Sequence, residues 1–152
     1  MTDVTTTASP STATDSAAPR TGASDEWPAV FVVDDDECLR SLVGDWVEDA
    51  GYRAVRLEGG EACLVALAVE LPVAVILDLH MSGLTGAETL DFIKIAAPEV
   101  PVIAMTGESD PLAALDLVDR GADEFLLKPV SRTRLVRSLL ATALQDRAPA
   151  RA

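Results

Sequence analysis

The residues best suited to chemistry in this chain stand directly after runs of apolar residues. Asp34, Asp35 and Asp36 follow Val30 to Val33, in the stretch "VFVVDDDE". Asp78 interrupts "VAVILDL", Thr106 ends "PVIAMT", and Lys128 follows "EFLL" and precedes Pro129. Each has an ordinary reading when taken singly. Asp36 would cap a helix, Asp78 would sit in a turn, and Lys128 would face solvent. Taken together, an acid pair, a further acid, a hydroxyl and an amine at four strand ends imply a shared task. Carboxylates gathered in one pocket repel, by about 4 kcal/mol for a pair about 4 Å apart at an intermediate dielectric, so they call for a cation. Hard oxygen ligands with open positions suit Mg²⁺. An aspartate can accept a phosphoryl group, and a neighbouring ammonium and hydroxyl could hold its oxygens. Positioning and neutralisation of charge are most of what phosphoryl transfer requires.

Such a site needs a scaffold that brings strand ends to one rim. Strand-like and helix-like patterns alternate five times along the chain. Val30–Val33, Val73–Leu79 and Pro101–Thr106 read as strands covered on both faces. Arg53–Leu57 and Glu124–Leu127 read as weaker strands. Leu39, Leu42, Val43, Trp46 and Val47 trace one face of a helix that Gly51 ends. Ala62–Glu70 reads as the next helix. Thr85 and Glu88 form a capping box opening a helix to about Ala96. Asp110 and Pro111 suit the start of another that Gly121 closes. A final helix from Arg132 is expected to bury Leu135, Leu139, Leu140 and Leu144. This (βα)5 order predicts a parallel sheet with helices on both faces and a site beyond the carboxyl ends of its strands.

Composition narrows the function. The chain has 152 residues and a net charge of −13, which argues against direct binding to nucleic acid or to an anionic membrane surface. Residues 1–26, rich in Thr, Ser, Ala and Pro, read as a disordered tail. Residues 27–145 read as the folded domain, and 146–152 as a fraying end. There is no signal-peptide pattern and no run long enough to span a bilayer, so a cytoplasmic location is expected. The two cysteines, Cys38 and Cys63, are too few for a disulfide framework. On this topology they fall on opposite sheet faces and are expected to stay unpaired.

The motifs "VVDD", "ILDLHMSGLTG", "MTG" and "LLKP", in this order, make the stretch from about Val30 to Leu144 resemble the receiver domain of two-component response regulators. The resemblance implies a flavodoxin-like fold with strand order 2-1-3-4-5. It implies that Asp78 is the phosphoacceptor. Asp35, Asp78 and the backbone carbonyl of His80 would be Mg²⁺ ligands, with Asp34 acting mainly through a bound water. Thr106 and Lys128 would bind phosphoryl oxygens. Thr106 and Phe125 would form the switch, and the Lys128–Pro129 peptide would be cis. The implied protein is a single-domain regulator, not a conventional enzyme, that catalyses its own Mg²⁺-dependent phosphorylation and dephosphorylation. Its donor would be a histidine kinase or phosphotransfer protein, and its output a protein partner. The arginines Arg132, Arg134 and Arg137 mark a candidate partner face, and also fit an ordinary solvated helix.

Three positions depart from the family pattern. Ser82 replaces the usual Pro, which implies a looser loop. Gly107 follows Thr106 where Ala or Ser is frequent, and Phe125 replaces the commoner Tyr. Other functions stay in view: a phosphate sink for a shared kinase, or a phosphorylation-independent interaction module. The intact acid pair, Asp78, Thr106 and Lys128 argue against the latter. An aspartate-nucleophile phosphatase would need a second acid at His80.

Overall fold

A computed structural model describes residues 27–107 and 111–147. Its elements run β1 (Ala29–Val33), α1 (Glu37–Asp49), β2 (Arg53–Leu57), α2 (Gly60–Leu67), β3 (Ala74–Asp78), α3 (Gly86–Ala96), β4 (Val102–Thr106), α4 (Pro111–Asp119), β5 (Glu124–Leu127) and α5 (Arg132–Arg147). All strand pairs are parallel and the order is β2-β1-β3-β4-β5. This is the expected flavodoxin-like order, with β1 and β3 adjacent at the point where the winding reverses.

The apolar runs explain the layering. β1, β3 and β4 are buried along their whole length, while the edge strand β2 is half-buried and β5 is partly exposed. Alternate residues serve opposite faces. Phe31, Val33, Val75, Leu77, Val102 and Ala104 pack with Cys63 and Leu67 of α2, Leu90 and Ile93 of α3, and Leu117 of α4. Val30, Val32, Ile76, Ile103 and Met105 pack with Val43 and Val47 of α1 and with Leu135 and Leu139 of α5. Cys38 is exposed on α1 and Cys63 is buried on α2, across the sheet, and both thiols are free.

Local chemistry sets the helix ends. The Asp36 carboxylate accepts from the Cys38 and Leu39 amides and so caps α1. Gly51, at φ 98°, turns the chain out of it. The Thr85–Glu88 capping box is complete in both directions. The expected Asp110 cap lies outside the described residues.

Two helix faces differ from expectation. Leu42 is exposed on α1, where Val43, Gly44 and Val47 form the buried arc. Leu140 and Leu144 are also exposed, and α5 turns Leu135, Ser138, Leu139, Thr142 and Ala143 inward instead. Reading leucines alone rotates that stripe, because the inward side of α5 is completed by small residues. α2 also starts earlier than expected and ends at Leu67. Glu70, beyond it, pairs with Arg53 at the start of β2.

Candidate functional site

The carboxyl ends of β1, β3, β4 and β5 meet at one rim. Asp78 ends β3 and Thr106 ends β4, whereas Asp34 and Asp35 follow β1 and Lys128 follows β5. The register makes this convergence inevitable: Val33 pairs with Leu77, Asp78 with Met105, and Thr106 with Leu127. The Lys128 amide donates to the Thr106 carbonyl at 2.8 Å, extending the ladder to the rim. The Lys128–Pro129 peptide is cis.

Asp34, Asp35 and Asp78 each bring a carboxylate oxygen within 4.8 Å of the others. Asp34 and Asp78 are buried and Asp35 is exposed. Lys128 Nζ lies 2.9 Å from Asp78 Oδ1, and the His80 amide donates to the same oxygen at 3.2 Å. The Asp36 amide donates to Asp34 Oδ1 at 2.9 Å. Asp34 Oδ2 is buried and receives no hydrogen bond. Burial pushes the Asp34 carboxyl up to about 6. The Asp78 charge adds to this, as does a bond to Asp78 that only a protonated Asp34 could donate, while the Asp36 amide and Lys128 oppose it. One ammonium beside three carboxylates, with a buried oxygen lacking a donor, is a donor set that fits a hard divalent cation.

The loop after β3 is shaped closely around the site. A Cβ on Gly86, at the start of α3, would lie 2.3 Å from Leu79 Cα and 2.5 Å from the Asp78 carbonyl oxygen. Only glycine allows α3 to begin so close to the strand end. His80 is exposed at the mouth. Ser82 does not loosen this loop as expected: its amide and hydroxyl both donate to Asp35 Oδ2, at 3.1 and 3.3 Å. Thr106 is 3% exposed, and strand alternation puts it on the same sheet face as Ala104 and Phe125. Phe125 is partly buried against that face and lies opposite Ala104 in the ladder.

Two participants were not evident from the sequence. Ser82 reaches Asp35 across 47 residues of chain, and no local pattern signals it. Arg40 donates from its guanidinium to the Asp34 carbonyl at 2.9 Å, pinning the acid loop to α1. Its place in the first turns of α1 was the available signal. The three arginines of α5 are exposed and lie outside this cluster. Arg132 pairs with Asp49 of α1 at 3.3 Å. With Arg137, Trp46, Val136 and Leu140 it lines a groove of about 400 Å³ between α1 and α5. No helix among the described residues is long and apolar enough to cross a membrane.

The family model of the response regulator receiver domain matches residues 30–140. The nitrogen assimilation regulatory protein NtrX of Azorhizobium caulinodans is 36% identical over 109 residues, covering 70% of this chain and 24% of that protein. The transcriptional regulatory protein FixJ of Bradyrhizobium diazoefficiens is 31% identical over 121 residues, covering 80% of this chain and 58% of that protein. The receiver domain of NtrX from Brucella abortus superimposes with a TM-score of 0.70 at 31% identity, covering 76% of this chain and 98% of that one. The chain thus spans only about a quarter of the NtrX relative and just over half of FixJ.

Proposed function

The chain belongs to the response regulator receiver family, and we propose that it accepts a phosphoryl group on Asp78 from a phosphohistidine of a histidine kinase or phosphotransfer protein. The supporting observation is the convergence of Asp34, Asp35, Asp78 and Lys128 at the rim, with Asp78 at its centre. Lys128 and the His80 amide hold Oδ1, so Oδ2 is the attacking oxygen. Its lone pair forms the O–P bond as the P–N bond of the donor breaks, and that electron pair returns to the imidazole. Hydrolysis of the acyl phosphate by water restores the carboxylate and releases inorganic phosphate.

Asp35, Asp78 and the His80 carbonyl would hold Mg²⁺, with Asp34 behind them acting through water. Bound there, Mg²⁺ supplies positive charge to the phosphoryl oxygens. Lys128 faces the Asp78 carboxylate and would pair with one phosphoryl oxygen; Thr106 would bond another. The output is binding of a downstream protein through the surface of α4, β5 and α5, where Phe125 is partly buried and Arg134 is exposed; Arg132 and Arg137 lie instead on the α1 side of α5. The test is incubation with acetyl phosphate and Mg²⁺ followed by intact-mass measurement. The wild type gains one phosphoryl group and Asp78→Asn gains none; equal labelling of the two proteins would overturn the assignment.

A further inference from the structure

Asp35 differs from the other two acids of the cluster in being exposed. An exposed carboxylate samples several rotamers, and holding it as a ligand costs side-chain entropy. Here the cost is met before any ion arrives. Ser82 N–H and Ser82 Oγ both donate to Oδ2, at 3.1 and 3.3 Å. A carboxylate has about four lone-pair sites over its two oxygens, so two donors on Oδ2 leave the lone pairs of Oδ1 for another partner, and one Asp35 carboxylate oxygen lies within 4.8 Å of those of Asp34 and Asp78. We propose that Ser82 is a positioning residue for the cation site: it clamps Asp35 by Oδ2 and presents Oδ1 as a preorganised ligand.

The inference deepens the proposed function and rests on Asp35 being a cation ligand. The clamp is set by the turn. Gly83 follows at φ 74°, a left-handed conformation that side chains rarely adopt. The turn presents both Ser82 donors to the acid loop, so the loops after β1 and β3 are joined across 47 residues of sequence. The two donors are separable by substitution. Ser82→Ala keeps the N–H and loses the hydroxyl, Ser82→Pro loses both, and Ser82→Thr keeps both.

The experiment is calorimetric titration of the full chain with Mg²⁺ alone, beside amide NMR of the metal-free protein. Affinity is expected to fall about tenfold in Ser82→Pro and about twofold in Ser82→Ala, the range spanned by immobilising one side chain. Ser82→Thr should restore wild-type affinity. Amide shifts at Asp35 should move in the metal-free Pro and Ala variants while those of β4 and β5 stay, which a general loss of structure would not produce. Affinity in Ser82→Ala equal to or above the wild type overturns the clamp, even where Ser82→Pro does not fold. Asp35→Ala separates the two levels. If it leaves Mg²⁺ affinity unchanged, the assignment of Asp35 as a ligand fails. If it weakens binding while the Ser82 variants do not, the clamp alone fails.

Discussion

Replacing Asp34 by Asn is expected to stabilise the metal-free protein while reducing its response to Mg²⁺. Asp34 is fully buried, and its Oδ2 has no donor. Its carboxylate oxygen lies within 4.8 Å of those of Asp35 and Asp78. At an effective dielectric of about 20, two unit charges that far apart repel by about 3–4 kcal/mol, part of which Lys128 offsets. The acidity gives an independent measure. A rise from the ordinary 3.8 to about 6 corresponds to about 3 kcal/mol as an upper figure, which water reaching the rim reduces. Asn keeps the oxygen that accepts from Asp36 and removes the charge, so a gain of about 1–3 kcal/mol at pH 7 is expected.

The pH dependence carries the sign. A carboxyl whose folded pKa is raised contributes stability in full below its unfolded pKa, near 4, and loses it as pH rises through about 6. The gap between variant and wild type in EDTA should therefore be small at pH 4 and open between pH 4 and 7. Urea unfolding at several pH values, with and without Mg²⁺, measures it. In the wild type, Mg²⁺ at about a hundred times its dissociation constant returns about 2.7 kcal/mol, and the variant should recover less. An Asp34→Asn protein less stable than wild type in EDTA at pH 7 would refute the reasoning, as would a gap that does not change with pH.

Lys128→Met removes the ammonium beside Asp78 and should lower metal-free stability by about 1–3 kcal/mol at pH 7; adding Asp34→Asn should recover part of this in urea unfolding. Gly86→Ala places a Cβ against Leu79 and the Asp78 carbonyl, so a loss of about 1–3 kcal/mol or more from overpacking, together with slower labelling by acetyl phosphate, is expected. Burial pushes the Cys63 thiol up to about 12 while Cys38 is exposed, so a thiol reagent at pH 8 should modify one cysteine per folded chain and two in urea. Thr106→Ala should still be phosphorylated but lose the phosphorylation-dependent NMR shifts around Phe125; a full wild-type shift pattern would remove Thr106 as the coupling element.

How much was legible follows from the range of each signal. β1, β3 and β4 are continuous apolar runs buried on both faces, and that pattern is local, so they stood out together with the acids, hydroxyl and amine at their ends. The Thr85–Glu88 box is likewise written within four residues. The inward faces of α1 and α5 were harder, because Gly44, Ser138, Thr142 and Ala143 are not apolar markers, whereas Leu42, Leu140 and Leu144 are and lie outside. At the site, residue types revealed which side chains converge but not how they are held. The buried Oδ2 of Asp34 without a donor depends on depth in the fold. The Ser82 bonds to Asp35 depend on the turn geometry of a distant loop, and residue type alone suggested the opposite, a looser loop.

The structure also bears on how the proposed phosphorylation would be transmitted. Among the described side chains of α4, Leu117 is buried, Ala113 and Ala114 are half-buried, and Leu112, Leu115 and Val118 face solvent. Burial of one leucine contributes about 1.5–3 kcal/mol. A hydrogen bond from Thr106 to a charged phosphoryl oxygen contributes about as much, 1.5–3 kcal/mol by order of magnitude. The bond proposed at the site therefore matches the apolar grip on α4, so a phosphoryl group that bonds Thr106 better in one arrangement of α4 can shift its population. α1 lacks this property, since Val43 and Val47 are fully buried and Arg40 ties it to the acid loop. The expected response is centred on α4 and β5, with Ala104 and Phe125 on the sheet face that α4 covers, and α1 should stay fixed as the wall against which Asp34 and Asp35 are set.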